Sequence, residues 1–333
     1  MSTKIKVLGT GFAGFVGSHF LEHILKNTDW DIVILDRLNY ASTGFDRLRD
    51  ISVFDEKRVK IFTADFTKPI VDGLAKEIGD IDYIIHMGAE THVDRSIENP
   101  EPFVMSNVVG TFRMLEFAKT FPNLKRFVYF STDEVFGPAP EGTSYKEWDR
   151  YNSGNPYAAT KAGGEELCLA YHNTYNLPII ITHTMNVYGE RQHPEKFIPL
   201  CIRKILYGEK ITIHSNKDKT KAGSRFWIHA RNVAEAICWL LENKDAKNGD
   251  KFNIVGEKEV DNLSMALFIA DVLERKLVYE MVDFHSSRPG HDLRYALDGT
   301  KLKEMGFEYP KTFEQSLEKT IKWTLENPKW ISS

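Results

Sequence analysis

The first half of the chain alternates short apolar runs with segments of helical hydrophobic spacing. Residues 5–8 predict a strand, and the apolar residues between 20 and 25 predict the buried face of a following helix. Further strands are predicted at residues 31–35, 59–62, 83–86 and 125–130. Helical spacing lies between them, most clearly over residues 103–120. Because strands that alternate with helices are typical of a parallel, doubly wound sheet, the pattern predicts an α/β fold of the Rossmann type.

The alternation becomes irregular after residue 183. The remaining predicted elements are a buried strand at 177–182, polar loops at 186–196 and 215–223, and helices at 232–242, 265–273 and 312–325. We therefore expect residues 1–183 to form the Rossmann domain, which would bind NAD and carry the catalytic residues. Residues 184–333 are expected to form mainly a smaller, discontinuous α/β substrate lobe, with some segments returning to the Rossmann domain.

A glycine-rich turn joins the first predicted strand to the first helix. It comprises Gly11, Phe12, Ala13, Gly14, Phe15, Val16 and Gly17. The second strand ends on Asp36, about twenty residues further on, where dinucleotide-binding folds need a carboxylate for the adenosine ribose. This combination favours a dinucleotide site over an ordinary tight turn. Asp36 also favours NAD over NADP, because a carboxylate repels a 2′-phosphate.

The ends of the next two strands offer further contacts for a dinucleotide. Asp65 and Phe66 are placed to meet an adenine, and Gly88 and Ala89 are small enough for a cofactor to lie close to the backbone. Both pairs also have a structural explanation. Asp65 can cap the segment that follows it, and Gly88 can simply turn the chain.

Composition narrows the class of partner. The 333 residues are 42% hydrophobic and 27% charged, and the net charge of −4 comes from well-mixed basic and acidic residues. This excludes the basic patch of a nucleic-acid binder, so small molecules are the expected partners. No apolar run approaches the length of a membrane span, and no signal-peptide pattern is present, so a cytoplasmic protein without a membrane partner is expected.

Cysteine and histidine residues add no predicted site. Cys168, Cys201 and Cys238 lie far apart in apolar, helix-like settings, so we expect reduced core residues and a reducing compartment. The 11 histidines show no metal-ligand spacing, and the chemistry considered below requires no metal. No metal site is therefore expected.

Candidate catalytic residues cluster after the strand predicted at residues 125–130. Thr132, Asp133 and Glu134 follow it closely, at the sheet edge where open α/β folds bind their ligands. Tyr157 and Lys161 are four residues apart, so on a helix their side chains share a face. The alternative interpretation is a polar turn followed by an ordinary surface lysine.

These residue types suit two linked reactions. A neighbouring ammonium and a positive nicotinamide ring would lower the pKa of Tyr157, so that it can take a proton from a sugar hydroxyl during oxidation. Thr132 can hydrogen-bond the same oxygen. Next to the ketone so formed, one carboxylate can remove a C–H proton while a carboxylic acid protonates a departing hydroxyl. Asp133 and Glu134 therefore allow elimination of water, and the sequence leaves open which of their pKa values is raised.

Several segments together resemble one enzyme family. They are residues 10–17, 36–41, 86–96, 131–137, 157–161, 194–196 and 288–292. With them the chain resembles the extended short-chain dehydrogenase/reductases, specifically the nucleoside-diphosphate-glucose 4,6-dehydratases, over nearly its whole length. The Tyr-Lys pair is shared across the superfamily. The Thr-Asp-Glu and Arg-Pro-Gly-His-Asp sequences are specific to the dehydratases and their close kin.

The resemblance implies a role for each catalytic residue. Tyr157 would be the base for oxidation at C4, Lys161 its electrostatic partner and a ribose ligand, and Thr132 the hydroxyl that orients the substrate oxygen. Glu134 would remove the C5 proton, and Asp133 would protonate the departing C6 hydroxyl. Hydride held on the cofactor would return to C6, so that NAD is regenerated. The product would be a 4-keto-6-deoxy sugar nucleotide for deoxysugar biosynthesis, with rhamnose as one outcome.

The resemblance also implies substrate contacts and a homodimer. The matching substrate positions are Thr91, Asn186, Glu195, Lys196, Arg225, Asn262, Arg288 and His291. Arg225 and Arg288 suit a diphosphate because a guanidinium matches phosphate oxygens, and the alternative, a surface ion pair, is not excluded by their spacing alone. Related enzymes dimerise through helices that correspond to residues 103–120 and 157–175. Phe112, Leu115 and Leu169 fit either that interface or a core face.

Some positions depart from the family pattern. His183, Met185, His214 and the loop at 215–224 differ from dTDP-glucose enzymes, which leaves the nucleobase open. The leading candidates are dTDP and UDP, followed by GDP and CDP. The alternatives for function are a nucleotide-sugar 4-epimerase or decarboxylase of the same family, or a non-catalytic NAD-binding protein.

Overall fold

A seven-stranded parallel sheet forms the centre of the fold in the computed structural model, which describes residues 4–38, 43–284 and 293–332. The described strands are β1 (Lys6–Thr10), β2 (Asp31–Asp36), β3 (Val59–Thr63), β4 (Tyr83–His86), β5 (Arg126–Thr132), β6 (Ile179–Thr184), β7 (Val187–Tyr188), β8 (Ile211–Ser215), β9 (Ser224–Phe226), β10 (Ile228–His229), β11 (Lys251–Ile254), β12 (Glu259–Asp261) and β13 (Tyr279–Asp283). The sheet order is β11-β6-β5-β4-β1-β2-β3. This order confirms the predicted doubly wound sheet of the Rossmann type.

Helices pack on both faces of this sheet. The described helices are α1 (Phe15–Asn27), α2 (Asp46–Asp50), α3 (Asp72–Ile78), α4 (Val93–Glu98), α5 (Glu101–Phe103), α6 (Gly110–Ala118), α7 (Pro156–Tyr175), α8 (Phe197–Leu206), α9 (Ala230–Glu242), α10 (Asn262–Val272), α11 (Thr300–Glu304) and α12 (Phe313–Glu326). A π-helical stretch, Val104–Val109, joins α5 to α6. The helix predicted over residues 103–120 is therefore present, with a wider turn in its first half.

Separate apolar cores hold these layers together. One core packs α1 and α9 against the sheet and includes Phe20 and Ile237. A second, which includes Met114 and Cys168, packs α6 and α7 against the sheet. A third core joins α8, α10 and α12 in the C-terminal half. This third core gives the C-terminal half its own packing centre.

The C-terminal half also contributes a strand to the central sheet. β11 pairs in parallel with β6, from Lys251 opposite Ile181 to Ile254 opposite Thr184. The other strands of this half form the two-stranded sheets β7-β10, β8-β13 and β9-β12. The division of the chain into domains at residue 183 stays a prediction.

Local sequence fixes where α7 begins and therefore where Tyr157 and Lys161 lie. The side chain of Asn155 caps the helix and accepts a hydrogen bond from the Ala158 amide at 2.9 Å. Pro156 occupies the first helical position, where no amide hydrogen is needed. The catalytic candidates therefore lie in the first two turns of α7.

The close approach of α7 to β5 depends on Gly164. A Cβ at this position would overlap the hydroxyl of Tyr129 and lie 2.9 Å from the carbonyl oxygen of Asn107. A Cβ at the adjacent Gly163 would meet Val108 at 3.4 Å, which is ordinary contact. The two neighbouring glycines therefore have different structural importance.

We predict that Gly164→Ala destabilises the fold by about 1–3 kcal/mol, because overpacking outweighs the gain in helix propensity. Gly163→Ala is the matched control, and it should leave stability unchanged or raise it by up to about 1 kcal/mol. Urea unfolding midpoints measure the difference. Equal midpoints for the two variants would contradict the close packing of α7 on β5.

Candidate active site

A cleft at the carboxyl edge of the sheet brings together residues predicted from distant parts of the chain. The predicted residues that line it are Gly11, Gly14, Phe15, Val16, Gly17, Asp36, Phe66, Gly88, Ala89, Thr91, Tyr157, Lys161, Glu195 and Lys196. The glycine turn, the Tyr-Lys pair and part of the substrate set therefore share one cavity.

Glycine at two positions of the turn lets neighbouring backbone segments pack closely together. Gly11 has φ of 73°, which glycine adopts without strain, and a Cβ there would lie 2.7 Å from the amide nitrogen of Gly88. A Cβ on Gly17 would lie 2.7 Å from the Cα of Phe12. Helix α1 begins at Phe15, so the amide groups of its first turn are available for an anionic group such as a diphosphate. These residues fit a dinucleotide.

Asp36 is held in place by the turn it faces. Its carboxylate accepts hydrogen bonds from the Ala13 amide at 3.1 Å and from the Leu38 amide at 2.9 Å. Burial raises the pKa of Asp36, while these two hydrogen bonds and nearby arginines oppose the rise. The carboxylate is therefore fixed at the end of β2, where a dinucleotide fold binds the adenosine ribose.

Three predicted cofactor residues are not among the described residues that line the cleft. Phe12 is fully buried, with its ring centroid 5.4 Å from that of Phe20. Ala13 is also buried and supplies its backbone amide to the carboxylate at the end of β2. Asp65 accepts a hydrogen bond from the Thr67 amide at 3.0 Å. In the structure these three side chains pack or cap the chain locally.

The three polar residues after β5 form one hydrogen-bonded group. The Thr132 hydroxyl donates to Asp133 Oδ1 at 3.0 Å and accepts from the Glu134 amide at 3.3 Å. The Asn155 side-chain amide donates to Glu134 Oε2 at 3.1 Å. Asp133 is 5% exposed, and its buried Oδ2 has no hydrogen-bond partner among the residues the structure describes. In this group, the Glu134 carboxyl accepts a hydrogen bond from Asn155, whereas one oxygen of the Asp133 carboxyl has no partner among the described residues.

Removal from water disfavours ionisation of both carboxyls. Desolvation raises the pKa of Asp133 to about 6, against the opposing charge of Arg225. Desolvation and the neighbouring Asp133 together raise the pKa of Glu134 to about 7. Both values are raised, so near neutral pH the pair can hold a proton and also offer a base.

Tyr157 lies against this carboxyl pair, which acts on its pKa. Its hydroxyl hydrogen-bonds Thr132, which favours the phenolate. Burial, together with the charges of Glu134 and Asp133, nevertheless raises the pKa of Tyr157 above its ordinary value. The expected lowering of this pKa by a neighbouring ammonium and a nicotinamide ring stays a prediction.

The ammonium of Lys161 is held by the end of β5. Its Nζ donates to the carbonyl oxygen of Phe130 at 2.6 Å and lies 4.2 Å from the centroid of the Tyr129 ring. Burial lowers the pKa of Lys161 to about 8, while the charge of Glu165 opposes that change. Lys161 is therefore fixed in the cleft wall one helical turn beyond Tyr157.

The predicted substrate residues divide into three groups. Thr91, Glu195 and Lys196 line the cleft. Asn186, Arg225 and Asn262 are not among its described lining residues, although the charge of Arg225 acts on the carboxyls of Asp133 and Glu134. Arg288 and His291 lie outside the described residues. The site therefore includes part of the predicted substrate set.

Sequence reasoning missed several residues that line the cleft, namely Arg37, Arg47, Met87, Phe130, Ser131, Gln192 and His193. Most of them lie within or next to a segment that the sequence analysis had identified, so their position in the chain could have indicated the site. Arg47 adjoins none. It is fully buried, its Nε donates to the carbonyl oxygen of Arg191 at 2.9 Å, and its guanidinium lies 5.2 Å from the Trp330 ring. These contacts come from distant parts of the chain, which no local pattern reveals.

Other predicted properties can be compared with the described residues. The three cysteines are free thiols, two of them buried, as expected. Within residues 4–38, 43–284 and 293–332, no group of three or more His, Cys, Asp or Glu side chains could hold a metal ion. Over the same residues, none of the helices is long and apolar enough to span a membrane.

The chain belongs to the NAD dependent epimerase/dehydratase family, whose model matches residues 7–255. It is 35% identical to the dTDP-glucose 4,6-dehydratase of Escherichia coli over 352 residues, covering 99% of this chain and 95% of that protein. It is 37% identical to the low-salt glycan biosynthesis protein Agl12 of Haloferax volcanii, covering 96% of this chain and 98% of that protein.

Solved structures show the same relationship. The chain is similar to DesIV, a dTDP-glucose 4,6-dehydratase from Streptomyces venezuelae solved with NAD and TYD bound. The TM-score is 0.87 at 34% identity, and the match covers 98% of each chain. UDP-glucuronic acid 4-epimerase from Bacillus cereus, in complex with UDP-glucuronic acid and NAD, matches with a TM-score of 0.86 at 26% identity, covering 97% of this chain and all of that one.

The raised pKa values predict how stability depends on pH. Between pH 4.5, the ordinary pKa of a glutamic acid, and pH 7, the raised value for Glu134, this carboxyl binds more protons in the folded chain than in the unfolded chain. The contribution of Glu134 to stability should therefore fall as pH rises through this range. We expect Glu134→Gln to match the parent at pH 5 and to exceed its stability at pH 8 by about 1–3 kcal/mol.

Urea midpoints at pH 5 and pH 8 measure this difference, with substitution of the exposed Glu209 by Gln as the control. The control should change stability by the same small amount at both values. If Glu134→Gln also shows no dependence on pH, the burial of an ionisable Glu134 in the folded chain is wrong.

Proposed function

We propose that the chain is an NAD-dependent dTDP-glucose 4,6-dehydratase, a hydro-lyase. The observation that carries this proposal is the pair formed by the buried Asp133 and the half-buried Glu134 beside Tyr157, with raised pKa values for both carboxyls. Oxidation of a sugar hydroxyl by NAD needs no side chains beyond the tyrosine, the lysine and the threonine. A carboxyl pair that retains a proton near neutral pH is what elimination of water needs in addition.

The oxidation would be served by three residues. Tyr157 would accept the proton of the C4 hydroxyl, Thr132 would hydrogen-bond the same oxygen, and the Lys161 ammonium would favour the phenolate. NAD would be held by the glycine turn at Gly11–Gly17 and by Asp36, with Tyr157 and Lys161 at the catalytic end of the cleft. When bound, it supplies the hydride acceptor for C4 and the hydride donor for C6.

The two carboxyls would divide the elimination between them. Glu134 would remove the C5 proton, and Asp133 would protonate the C6 hydroxyl as it leaves. The unpartnered Oδ2 of Asp133 supports this assignment, because an unsatisfied buried oxygen can carry a proton for donation. Glu134 has the higher of the two raised pKa values because desolvation and the charge of Asp133 act on it, and the hydrogen bond from Asn155 opposes both effects. The assignment of Glu134 as the base therefore rests on this hydrogen bond and on the family resemblance, and not on the order of the pKa values.

The substrate would be dTDP-glucose, because a relative at 35% identity and a solved structure at 34% identity are both dTDP-glucose 4,6-dehydratases. Thr91, Asn186, Glu195, Lys196 and Asn262 are proposed sugar-nucleotide ligands, with Arg225, Arg288 and His291 towards the diphosphate or nucleoside. UDP-glucose remains the second candidate. The 4-keto-6-deoxy product would enter deoxysugar biosynthesis, with rhamnose as one outcome.

The proposed reaction predicts the fate of the hydrogen on C4. With dTDP-glucose deuterated at C4, the label should appear on C6 of the product, without net build-up of absorbance at 340 nm. Mass spectrometry and NMR of the product measure the transfer, and UDP-glucose serves as the comparison substrate. Label lost from the sugar, or a C4-epimerised product, would contradict the dehydratase proposal.

The same assay separates oxidation from elimination. Glu134→Gln should bind NAD and still oxidise C4, while product formation falls by about 100-fold or more because the C5 base is missing. Substitution of the exposed Glu209 by Gln should leave product formation unchanged. Product formation at the parental rate in Glu134→Gln would refute the role of Glu134.

We further propose a homodimer that works in the cytoplasm, where the three free thiols would stay reduced. Leu115 is fully buried in the protein's own core, whereas Phe112 and Leu169 are only partly covered. Val104 and Met105 leave 43% and 37% of their area exposed on the first of the expected interface segments. Exposed apolar side chains of this kind suit a protein interface.

The dimer predicts a response to charge on this surface. The parent should sediment as a dimer, and the double variant Val104→Glu, Met105→Glu should sediment as a monomer, because buried unpaired carboxylates disfavour association. Tyr207→Glu is the control, since Tyr207 is 73% exposed on a different helix end. A monomeric parent, or a dimeric double variant, would overturn this interface.

A further inference from the structure

A buried group of polar residues lies behind the catalytic end of the cleft. We call it the Glu165 cluster, and it consists of Ser131, Tyr151, Glu165, His183 and Lys251. Four of the five are buried, with exposures of 4% or less, and Glu165 and His183 are fully buried. Its members come from β5, α7, β6, β11 and the loop before α7, so it joins both halves of the chain.

Glu165 is the acceptor at the centre of this cluster. The Ser131 and Tyr151 hydroxyls both donate to its carboxylate. His183 Nε2 lies 3.0 Å and Lys251 Nζ 3.5 Å from Glu165 Oε2. Four polar groups therefore surround one buried carboxylate, and they hold its pKa below the ordinary value despite the cost of burial.

The outer members of the cluster are also fixed. His183 Nδ1 lies 2.9 Å from the side-chain oxygen of Asn253, and the Lys251 ammonium donates to the Tyr151 hydroxyl. The Lys251 Nζ also lies 4.7 Å from the centroid of the Trp148 ring. His183 is one of the positions at which the chain departs from the family pattern, and here it has a defined contact.

The cluster touches the proposed active site in two places. Ser131 lines the cleft and immediately precedes Thr132. Tyr157, Lys161 and Glu165 follow each other at intervals of four residues on α7, so their side chains share one face of the helix. The carboxylate therefore lies one helical turn behind the catalytic lysine.

Several titratable groups face Lys161 from the elements packed around it. They are Tyr157, Glu165 and Cys168 on α7, Tyr129 on β5, and His86 on β4. Glu165 is the carboxylate of this set. It is therefore the group that can balance the Lys161 ammonium when burial disfavours its charge.

We propose that Glu165 is a positioning residue for the oxidation step, and that its carboxylate, held by the Glu165 cluster, keeps the Lys161 ammonium charged at the wall of the cleft. Lys251, which lies on β11 in the C-terminal half, partly neutralises the negative charge of Glu165 and so weakens its effect on Lys161. The effect on turnover rests on the proposed function, whereas the effect on the charge of Lys161 does not.

Two substitutions in the cluster should move the titration of Lys161 in opposite directions. Glu165→Gln removes the balancing negative charge and should lower the pKa of Lys161 by about 1 unit or more. Lys251→Met leaves the carboxylate less neutralised and should raise that pKa by about half a unit or more. General loosening of the structure cannot give shifts of opposite sign.

The measurement is NMR of the NAD-saturated chain carrying isotope-labelled lysine side chains, titrated with pH. The Lys161 resonance is assigned by its loss in Lys161→Met. Glu166→Gln is the matched control, because Glu166 is the exposed neighbour of Glu165 on the same helix, and it should leave the titration unchanged. In parallel, the alkaline limb of kcat/KM for dTDP-glucose should shift in the same direction as the Lys161 titration in each variant.

If Glu165→Gln does not fold, Lys251→Met alone still tests the proposal, and the double variant should fold and titrate between the two single variants. Shifts of the same sign, or a Lys161 titration that neither variant moves, would overturn it. The NMR titration needs no turnover. Absence of dehydratase activity would therefore count against the proposed function and leave this test intact.

Discussion

The contact between α7 and β5 is the interaction on which the site depends. Gly164 lets the helix lie on the ring of Tyr129, and the same approach lets Lys161 reach the carbonyl oxygen of Phe130 at 2.6 Å. The start of the helix is fixed separately, by the Asn155 cap and by proline at the first helical position. Together the two constraints place Tyr157 and Lys161 beside the polar residues that follow β5, in a geometry that neither element could set alone.

The pKa values of the carboxyl groups near this contact are shifted in opposite directions. Asp133 and Glu134 have few hydrogen-bond donors, and desolvation raises their pKa values. Glu165 is more deeply buried, yet its four polar partners hold its pKa low. The same side-chain chemistry therefore provides a proton-holding pair beside Tyr157 and a fixed negative charge behind Lys161. The charged and hydrogen-bonding groups around each carboxyl, such as His183 and Lys251 at Glu165, decide between these states.

The parallel, doubly wound sheet and most of the cleft could be predicted from the sequence because both follow local patterns. Alternating strands and helices predict the fold, and the residues at strand ends, such as Asp36 and Gly88, meet at one edge for topological reasons. Local patterns fail where a contact joins distant segments. Arg47 enters the cleft wall through contacts with Arg191 and Trp330, and the rise in the pKa of Tyr157 depends on carboxyls about twenty residues earlier in the chain.

The pairing of β11 with β6 has a consequence for how such enzymes can change. The strand from the C-terminal half completes the edge of the central sheet, and Lys251 at its start reaches into the buried cluster around Glu165. Exchange of the C-terminal half between two related chains would therefore also exchange an edge strand and a buried charge, so the two halves have to change together.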